Sequence, residues 1–434
     1  MNPWISETTR AGPVPWAEFR VDPARCEASN AAVHASPLLL LSVLMLVAYG
    51  FEVSSPRTRI PTVILLLGLG IACRWLLDRM GVVTAELDGV LPTLGTFGLI
   101  LIVFEGALEL EFRPEAKAVA VRALLVALLP MLALGAGLAT YLVHETGCEL
   151  RIALLHALPF AVISSAVAVP TARVFRRDTS EFVVYESSLS DILGVLAFNF
   201  VLTSQTFELS VALKFGGQLL AILALAVVGS VLLALLVAKL RHRVKFGPIL
   251  AFVVLLYSVS KALHLPALVL ILVFGLCLAN FRKLAQRRVF RFLDPAEVEQ
   301  QVHRFSELTA EVTFVVRIAF FILFGFVLDV AALVDLGTLA VAFGILGAIL
   351  ILRAITLRAF RLPAMPLLFI APRGLITVLL LLSIPTELRL SFVSDGLTTQ
   401  LVILSALLMM VATIGGGRAE VAHENMRTSH PPTP

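Results

Sequence analysis

The chain has 434 residues, of which 59% are hydrophobic and 15% are charged, and its formal charge at pH 7 is +4. Its mean hydropathy is +0.96, and a soluble domain carries roughly 25% charged residues. So few charges cannot cover a water-facing surface of this size, which excludes a soluble enzyme, a nucleic-acid-binding protein and a disordered scaffold. The composition indicates a protein that is embedded in a lipid bilayer.

Apolar stretches of the length needed to cross a bilayer, about 20 residues, occur thirteen times along the chain. They cover residues 37–53, 60–77, 90–108, 118–143, 150–173, 181–204, 210–238, 246–263, 265–281, 309–332, 335–357, 363–385 and 397–415. The sequence therefore predicts an all-α polytopic membrane protein with about thirteen transmembrane helices.

The basic residues are distributed unevenly between the two sides of these spans. With the N-terminus outside, 22 of the 34 Lys and Arg residues fall in cytoplasmic segments and nine in outer segments. Cytoplasmic loops normally carry this excess, so we predict that the N-terminus lies outside and the C-terminus in the cytoplasm. Cys26 and Cys148 would then share the outer face, where an oxidising compartment permits a disulfide, although the sequence does not fix their separation.

Short similarities recur at an offset of 207 residues. Residues 66–72 resemble residues 273–279, and Pro159 and Ile163 correspond to Pro366 and Ile370. An offset of seven spans inverts one half relative to the membrane, and inverted repeats with broken helices are typical of secondary transporters. We predict a polar N-terminal tail (1–36), a first repeat (37–204), a linker helix with a basic loop (205–245), a second repeat (246–415) and a C-terminal tail (416–434). The polar loop 282–308 is predicted to form two short interfacial helices that are divided at Asp294-Pro295.

Ionised side chains are costly at mid-membrane and are functional candidates by default. Within the predicted spans we identify Glu186, Asp191, Arg317, Arg353 and Arg373. Their charges are nearly balanced, so pairing between helices would neutralise most of them.

The sixth span contains the segment ESSLSD, residues 186–191. Ser187 and Asp191 are four residues apart and share one helix face, while Glu186 and Ser190 form the adjacent stripe. A carboxylate beside hydroxyls offers hard oxygen ligands to a small monovalent cation, and the same carboxylate binds a proton, so the two would compete. The alternative is that the carboxylate pairs with an arginine of a neighbouring helix, and this alternative is favoured for Glu186.

Two spans are predicted to be interrupted. In PFAVISSAVAVP (159–170), two prolines together with Ser164 and Ser165 favour a broken helix whose carbonyls and hydroxyls line a cavity. For the two serines, a packing role is an equal alternative. The segment PLLFIAPRG (366–374) carries the same kind of break, and Arg373 would offset the partial negative charge of a helix C-terminus there.

Three motifs resemble the monovalent cation:proton antiporter superfamily and its sodium/proton exchanger branch. FEGALEL (104–110) resembles the FEGGLEL segment, ESSLSD (186–191) resembles the ESLFND motif, and Arg373-Gly374 resembles a later RG. The resemblance covers essentially the whole membrane region. It implies an elevator-type antiporter, usually a homodimer, in which helices 4–6 and 11–13 move against a dimerisation domain.

The resemblance also implies roles for individual residues. Asp191 falls at the family's ion- and proton-binding aspartate, and Ser187 at a side-chain ligand. Glu186 falls at a glutamate that pairs with an arginine of helix 11, to which Arg353 corresponds. Cofactors are not expected beyond the transported Na⁺ or K⁺ and H⁺, and no further metal or nucleic-acid partner is expected.

Two departures from the family pattern affect the prediction. Ser190 stands where electroneutral members have Asn and electrogenic members a second Asp, which favours one carboxylate per cycle and 1:1 exchange. The TDP triplet of helix 5 aligns with residues 166–168, so its threonine is missing and Ser164 or Ser165 would replace it. This leaves the identity of the cation open among Na⁺, K⁺ and Li⁺.

The resemblance places Arg317 at a position where electrogenic members of the family carry a lysine. It is expected to face either Asp191 or a loop carbonyl, with equal weight.

Other functions on the same scaffold are a cation channel or uniporter and a sensor without transport. An intramembrane hydrolase is disfavoured because the chain has neither HExxH nor GxSxG. A composition rich in Ala, Leu and Arg favours a bacterial inner (plasma) membrane.

Overall fold

The computed structural model describes residues 37–58, 60–79, 90–110, 116–172, 175–204, 209–239, 246–263, 265–280, 295–328 and 330–428. The regular structure in these residues is helical. The α-helices are α1 Pro37–Thr58, α2 Thr62–Arg79, α3 Val90–Glu109, α4 Lys117–Thr146, α5 Leu150–Ala161, α6 Ser165–Ala172, α7 Arg177–Thr203, α8 Leu209–Lys239, α9 Phe246–Ala262, α10 Ala267–Ala279, α11 Pro295–Val327, α12 Val330–Leu333, α13 Leu336–Ala359, α14 Leu375–Leu382 and α15 Asp395–Thr428. Two 3₁₀ turns cover Leu367–Phe369 and Thr386–Leu388.

Several of these helices have the length and composition needed to cross a bilayer. Among the described residues, five stretches meet both criteria, and they are Lys117–Thr146, Leu150–Ala172, Leu213–Leu233, Arg304–Val327 and Leu336–Ala359. Shorter apolar helices cover Ser42–Ser55, Leu94–Leu108, Leu250–Ala262, Ala267–Ala279 and Asp395–Val411. Each of the thirteen predicted spans coincides with one helix or with one interrupted pair, so the all-α prediction and its helix count are confirmed.

Some boundaries differ from the sequence prediction. Proline is favoured in the first turn of a helix, and α11 begins at Pro295 and continues without a break to Val327. Residues 295–308, the described part of the predicted loop 282–308, therefore form the first part of the long helix α11. The prediction of a separate short interfacial helix in this segment is wrong. The last helix continues to Thr428, so most of the predicted C-terminal tail is helical. The N-terminal tail and Cys26 lie outside the described residues, as does the predicted disulfide with Cys148.

The contact between α2 and α11 is reinforced at the end of α11. The last carbonyls of a helix have no partner within the helix. Arg74 of α2 donates from Nη1 to the carbonyl oxygens of Phe326 (3.3 Å), Val327 (3.1 Å) and Leu328 (3.4 Å). One guanidinium therefore caps α11 and holds it against α2.

Candidate ion-binding site

Two interrupted helices meet in the interior of the protein. The first break separates α5 from α6 at residues 162–164, and the second lies in the segment 360–374, which connects α13 to α14 and contains the 3₁₀ turn Leu367–Phe369. The backbone N–H of Ser164 donates to the carbonyl oxygen of Pro372 over 2.9 Å. This hydrogen bond joins the two breaks, and it satisfies backbone groups that have lost their helical partners.

Two glycines make this close approach possible. A Cβ atom at Gly374 would lie 2.7 Å from the Val167 side chain and 2.8 Å from Ser164 Oγ. A Cβ atom at Gly194 of α7 would overlap the Val162 side chain. Both distances are shorter than van der Waals contact, so the crossing depends on the absence of a side chain at these two positions.

Asp191 of α7 lies at the start of α6, where the first break ends. Its Oδ2 atom accepts hydrogen bonds from the backbone N–H of Ser165 (3.2 Å) and from the Ser165 hydroxyl. The N-terminus of a helix carries a partial positive charge and uncommitted N–H donors. The carboxylate is therefore positioned by the broken helix itself.

The same carboxylate lines a pocket of about 260 Å³. Two of the lining residues, Asp191 and Ser188, have side chains with oxygen atoms. The remaining lining residues are Ile102, Val103, Gly106, Ile192, Val195, Leu272 and Ile376. An apolar pocket with one carboxylate and one hydroxyl has the chemistry of a site for a small cation or a proton.

The other predicted serines make different contacts. Ser190 Oγ accepts a hydrogen bond from the backbone N–H of Ile163 over 2.9 Å, so it holds the first break against α7. Ser187 Oγ donates to the carbonyl oxygen of Val183 on its own helix over 2.8 Å. Ser164 is fully buried at the crossing, and its hydroxyl has no hydrogen-bond partner among the described residues. The structure brings Ser165 to Asp191 but places the Ser187 hydroxyl against its own backbone.

Glu186 and Arg353 form a bidentate ion pair between α7 and α13. Arg353 Nη1 lies 2.5 Å from Glu186 Oε1, and Nη2 lies 2.9 Å from Oε2. Each side chain is only 2% exposed. Arg353 Nε also donates to the carbonyl oxygen of Leu367 over 2.6 Å, so the pair anchors the second break as well.

The two remaining arginines donate to backbone carbonyls of the first interrupted helix. Arg373 is buried, and its Nε atom donates to the carbonyl oxygen of Phe160, in the last turn of α5, over 2.6 Å. Arg317 Nη1 donates to the carbonyl oxygen of Ala166 over 3.2 Å. Arg317 was predicted to face either Asp191 or a loop carbonyl, and the carbonyl that it contacts belongs to helix α6 and not to a loop.

A second pocket, of about 410 Å³, borders α6. Its lining includes Arg317 and Glu52, together with Ala166, Val167 and Thr171 of α6. It shares no lining residue with the pocket at Asp191. The short helix α6 therefore contributes to one pocket through its side chains and binds Asp191 through its first residue.

Three polar residues were not assigned a role from the sequence. Ser188 lines the Asp191 pocket, although the helical-face argument selected Ser187. Glu105 lies inside α3 and is partly buried next to the pocket residue Gly106, and the FEGALEL run already signalled it. His156 is buried in α5, and its Nε2 atom accepts a hydrogen bond from the Leu390 N–H over 3.1 Å. No pattern in the sequence pointed to this last contact.

A resident metal site is not evident in the described part of the chain, which has no group of three or more His, Cys, Asp or Glu residues that could hold a metal ion. A monovalent cation at Asp191 would be a transported substrate.

Comparisons with known proteins identify the family and the fold. A family model described as "Sodium/hydrogen exchanger, transmembrane" matches residues 41–417. One solved structure of the sodium proton antiporter MjNhaP1 from Methanocaldococcus jannaschii, at pH 8, has a TM-score of 0.62 and 16% identity, covering 87% of this chain and 95% of that chain. A second MjNhaP1 structure, from an electron-microscopy map, has a TM-score of 0.60 and 16% identity, covering 91% of this chain and 98% of that chain.

These structural similarities show the fold, and the family match covers most of the chain. The search of curated proteins found no match. The protein is a multi-pass membrane protein and not an enzyme, and the chain belongs to the sodium/hydrogen exchanger family.

Proposed function

We propose that this protein exchanges a monovalent cation, with Na⁺ first and K⁺ or Li⁺ as alternatives, for H⁺ at Asp191. One observation carries the proposal. The Asp191 carboxylate lies where the broken helix begins again, and it lines a pocket whose other polar side chain is a serine. Cation and proton are the two ligands that one carboxylate binds in competition.

Exchange of one cation for one proton is supported by the contacts of the neighbouring charges. Glu186 is committed to Arg353, and Arg353 also holds the second break. Ser190 is a hydroxyl and does not titrate near neutral pH. Arg317 practically cannot release its proton, so it does not add a proton to the cycle.

An elevator movement is supported by the bonds that connect the two interrupted helices. The Glu186–Arg353 pair joins α7 to α13, and Arg353 joins α13 to the turn at Leu367. Arg373 then joins the second break to α5. These contacts are buried, so we expect α4–α7 and α13–α15 to move as one body. A homodimer in a bacterial plasma membrane, with the N-terminus outside, completes the proposal and rests on the family resemblance and on the distribution of basic residues.

The test uses purified protein in proteoliposomes that contain a pH-sensitive dye. A pH gradient is imposed, Na⁺, K⁺ or Li⁺ is added, and the Asp191→Asn variant is measured in parallel. Asp178→Asn is the matched control, because Asp178 is an exposed residue in the first turn of the same helix. We expect the cation to collapse the gradient in the wild type and the control but not in Asp191→Asn.

Repeating the assay with K⁺ and valinomycin to clamp the voltage determines the stoichiometry. An unchanged rate under the clamp supports 1:1 exchange. A rate that the clamp accelerates contradicts it and points to a second proton. Cation flux without proton movement would overturn the antiport proposal in favour of a channel or uniporter.

A further inference from the structure

We propose that Ser188, and not Ser187, supplies the hydroxyl ligand of the transported cation. This inference rests on the proposed function, because it assigns a second ligand to the cation that binds at Asp191. At the Ser188 position, the ESLFND motif that ESSLSD resembles has a leucine. The chain therefore carries a hydroxyl at a position where the motif has none.

The two adjacent serines are in different bonding states. Inside a helix, a serine or threonine hydroxyl usually donates to the carbonyl of the preceding turn. Ser187 does so with Val183, and Thr203 of the same helix does so with Asn199. The Ser188 hydroxyl is 1% exposed and has no hydrogen-bond partner in the part of the chain that the structure describes.

A buried hydroxyl without a partner costs free energy, and such a group normally satisfies itself through a ligand or water. Ser188 lines the pocket that contains Asp191. The two residues are three apart on one helix and are therefore neighbours on its surface. A cation bound to the carboxylate would lie within reach of this hydroxyl, whereas the Ser187 hydroxyl is bound to the helix backbone.

The Ser164 hydroxyl also has no partner among the described residues, but Ser164 does not line the Asp191 pocket, and the two other nearby serines are engaged. The Ser165 N–H and hydroxyl donate to the carboxylate, and the Ser190 hydroxyl accepts from the Ile163 N–H. The remaining lining of the pocket is Gly106 and aliphatic side chains. Ser188 is thus the side-chain hydroxyl that lines this pocket beside Asp191.

The experiment compares Ser188→Ala with Ser187→Ala in the proteoliposome assay, with the cation concentration varied at fixed pH. We expect Ser188→Ala to raise the half-saturating cation concentration by about three- to tenfold, the size of one lost neutral ligand. The maximal rate should stay close to the wild-type value. Ser187→Ala should stay within about twofold of the wild type, because it loses only a bond to its own helix.

A second variant separates ligation from folding. Ser188→Cys keeps nearly the same shape, but a thiol is a poor ligand for a hard cation, so it should raise the half-saturating concentration as Ser188→Ala does. Wild-type affinity in both Ser188 variants, or an equal loss in Ser187→Ala, would overturn the inference.

Calorimetric titration of detergent-solubilised protein with NaCl, KCl and LiCl separates this inference from the proposed function. If the wild type binds a cation but shows no exchange, weaker binding by Ser188→Ala supports the ligand assignment while antiport fails. If the wild type binds none of the three cations, both proposals are overturned. If exchange occurs and binding is unchanged in Ser188→Ala, the ligand assignment alone is overturned.

Discussion

The buried ion pair between α7 and α13 gives the sharpest stability prediction. Glu186→Gln keeps the shape of the side chain but removes the charge that faces Arg353. The guanidinium then stays at 2% exposure opposite a neutral amide, and the amide NH₂ group meets another donor. Removing one partner of a buried pair costs about 3–5 kcal/mol, and the two hydrogen bonds of 2.5 and 2.9 Å show that both oxygens of Glu186 are paired.

Reversible unfolding in mixed micelles of dodecyl maltoside and sodium dodecyl sulfate, followed by circular dichroism, measures this loss. Glu181→Gln is the matched control, because Glu181 lies on the same helix and is only partly buried. We expect the control to change the free energy of unfolding by less than about 0.5 kcal/mol.

The double variant Glu186→Gln/Arg353→Gln makes the test specific. Removing both charges relieves the uncompensated guanidinium, so the double variant should be less destabilised than the sum of the two single variants. It should not recover fully, because the bond from Arg353 Nε to the Leu367 carbonyl is also lost. Wild-type stability in Glu186→Gln, or strict additivity in the double variant, would refute the assignment of the pair as a structural element.

Three further outcomes are expected. Gly374→Ala places a Cβ atom 2.8 Å from Ser164 Oγ, so the crossing must open, and the exchange rate in proteoliposomes should fall by at least about tenfold; wild-type exchange would contradict the described crossing. His156→Phe removes the acceptor of the Leu390 N–H and should cost about 1–3 kcal/mol, with faster hydrogen exchange at Leu390; unchanged exchange there would show that the bond is unimportant. Asp335 caps α13, and its bonds to backbone N–H groups lower the pKa of its carboxyl below 3.8. A carboxyl whose pKa is lowered by folding stabilises the folded state at pH values above its ordinary pKa. This stabilisation is lost as the pH falls through the lowered pKa. The difference in unfolding midpoint between the wild type and Asp335→Ala should therefore be present at pH 7 and shrink below pH 3.8; a difference that grows on acidification would contradict the assigned sign.

Hydropathy alone predicted the helices well, because a membrane interior admits little other than helices. The prediction of the first break was correct in kind but imprecise in position. The prolines that signalled it, Pro159 and Pro170, both lie inside helices, and the break falls between them at residues 162–164. Its position is fixed by contacts from elsewhere in the chain, namely Ser190 to Ile163 and Pro372 to Ser164.

The choice between adjacent serines could not be made from the sequence. Ser187 and Asp191 satisfy the four-residue rule, and Ser188 and Asp191 satisfy the three-residue rule equally well. Which hydroxyl turns toward the pocket depends on its rotamer and on the side chains that α3, α10 and α14 place around α7. Helical spacing identifies a face, but it does not determine where a hydroxyl hydrogen bond goes.

The surroundings of Asp191 also supply a physical reason for coupling. Glu186 and Arg353 neutralise each other, so their combined charge stays constant through a transport cycle. The Ser165 N–H and hydroxyl, which donate to the Asp191 carboxylate, are neutral. Binding a proton or a monovalent cation adds one positive charge, so the unloaded site carries one more negative charge than the loaded site and faces a largely aliphatic pocket.

Moving that unloaded charge through a low-dielectric barrier costs several kcal/mol, and each 1.4 kcal/mol slows a step about tenfold. If the site moves as proposed, movement of the empty site is therefore strongly suppressed, and the site crosses only when it carries one ligand or the other. Under the proposed mechanism, this penalty enforces exchange. It also explains why a site for antiport needs an apolar pocket with few oxygen atoms, since a pocket that solvated the bare carboxylate well would permit uncoupled leak.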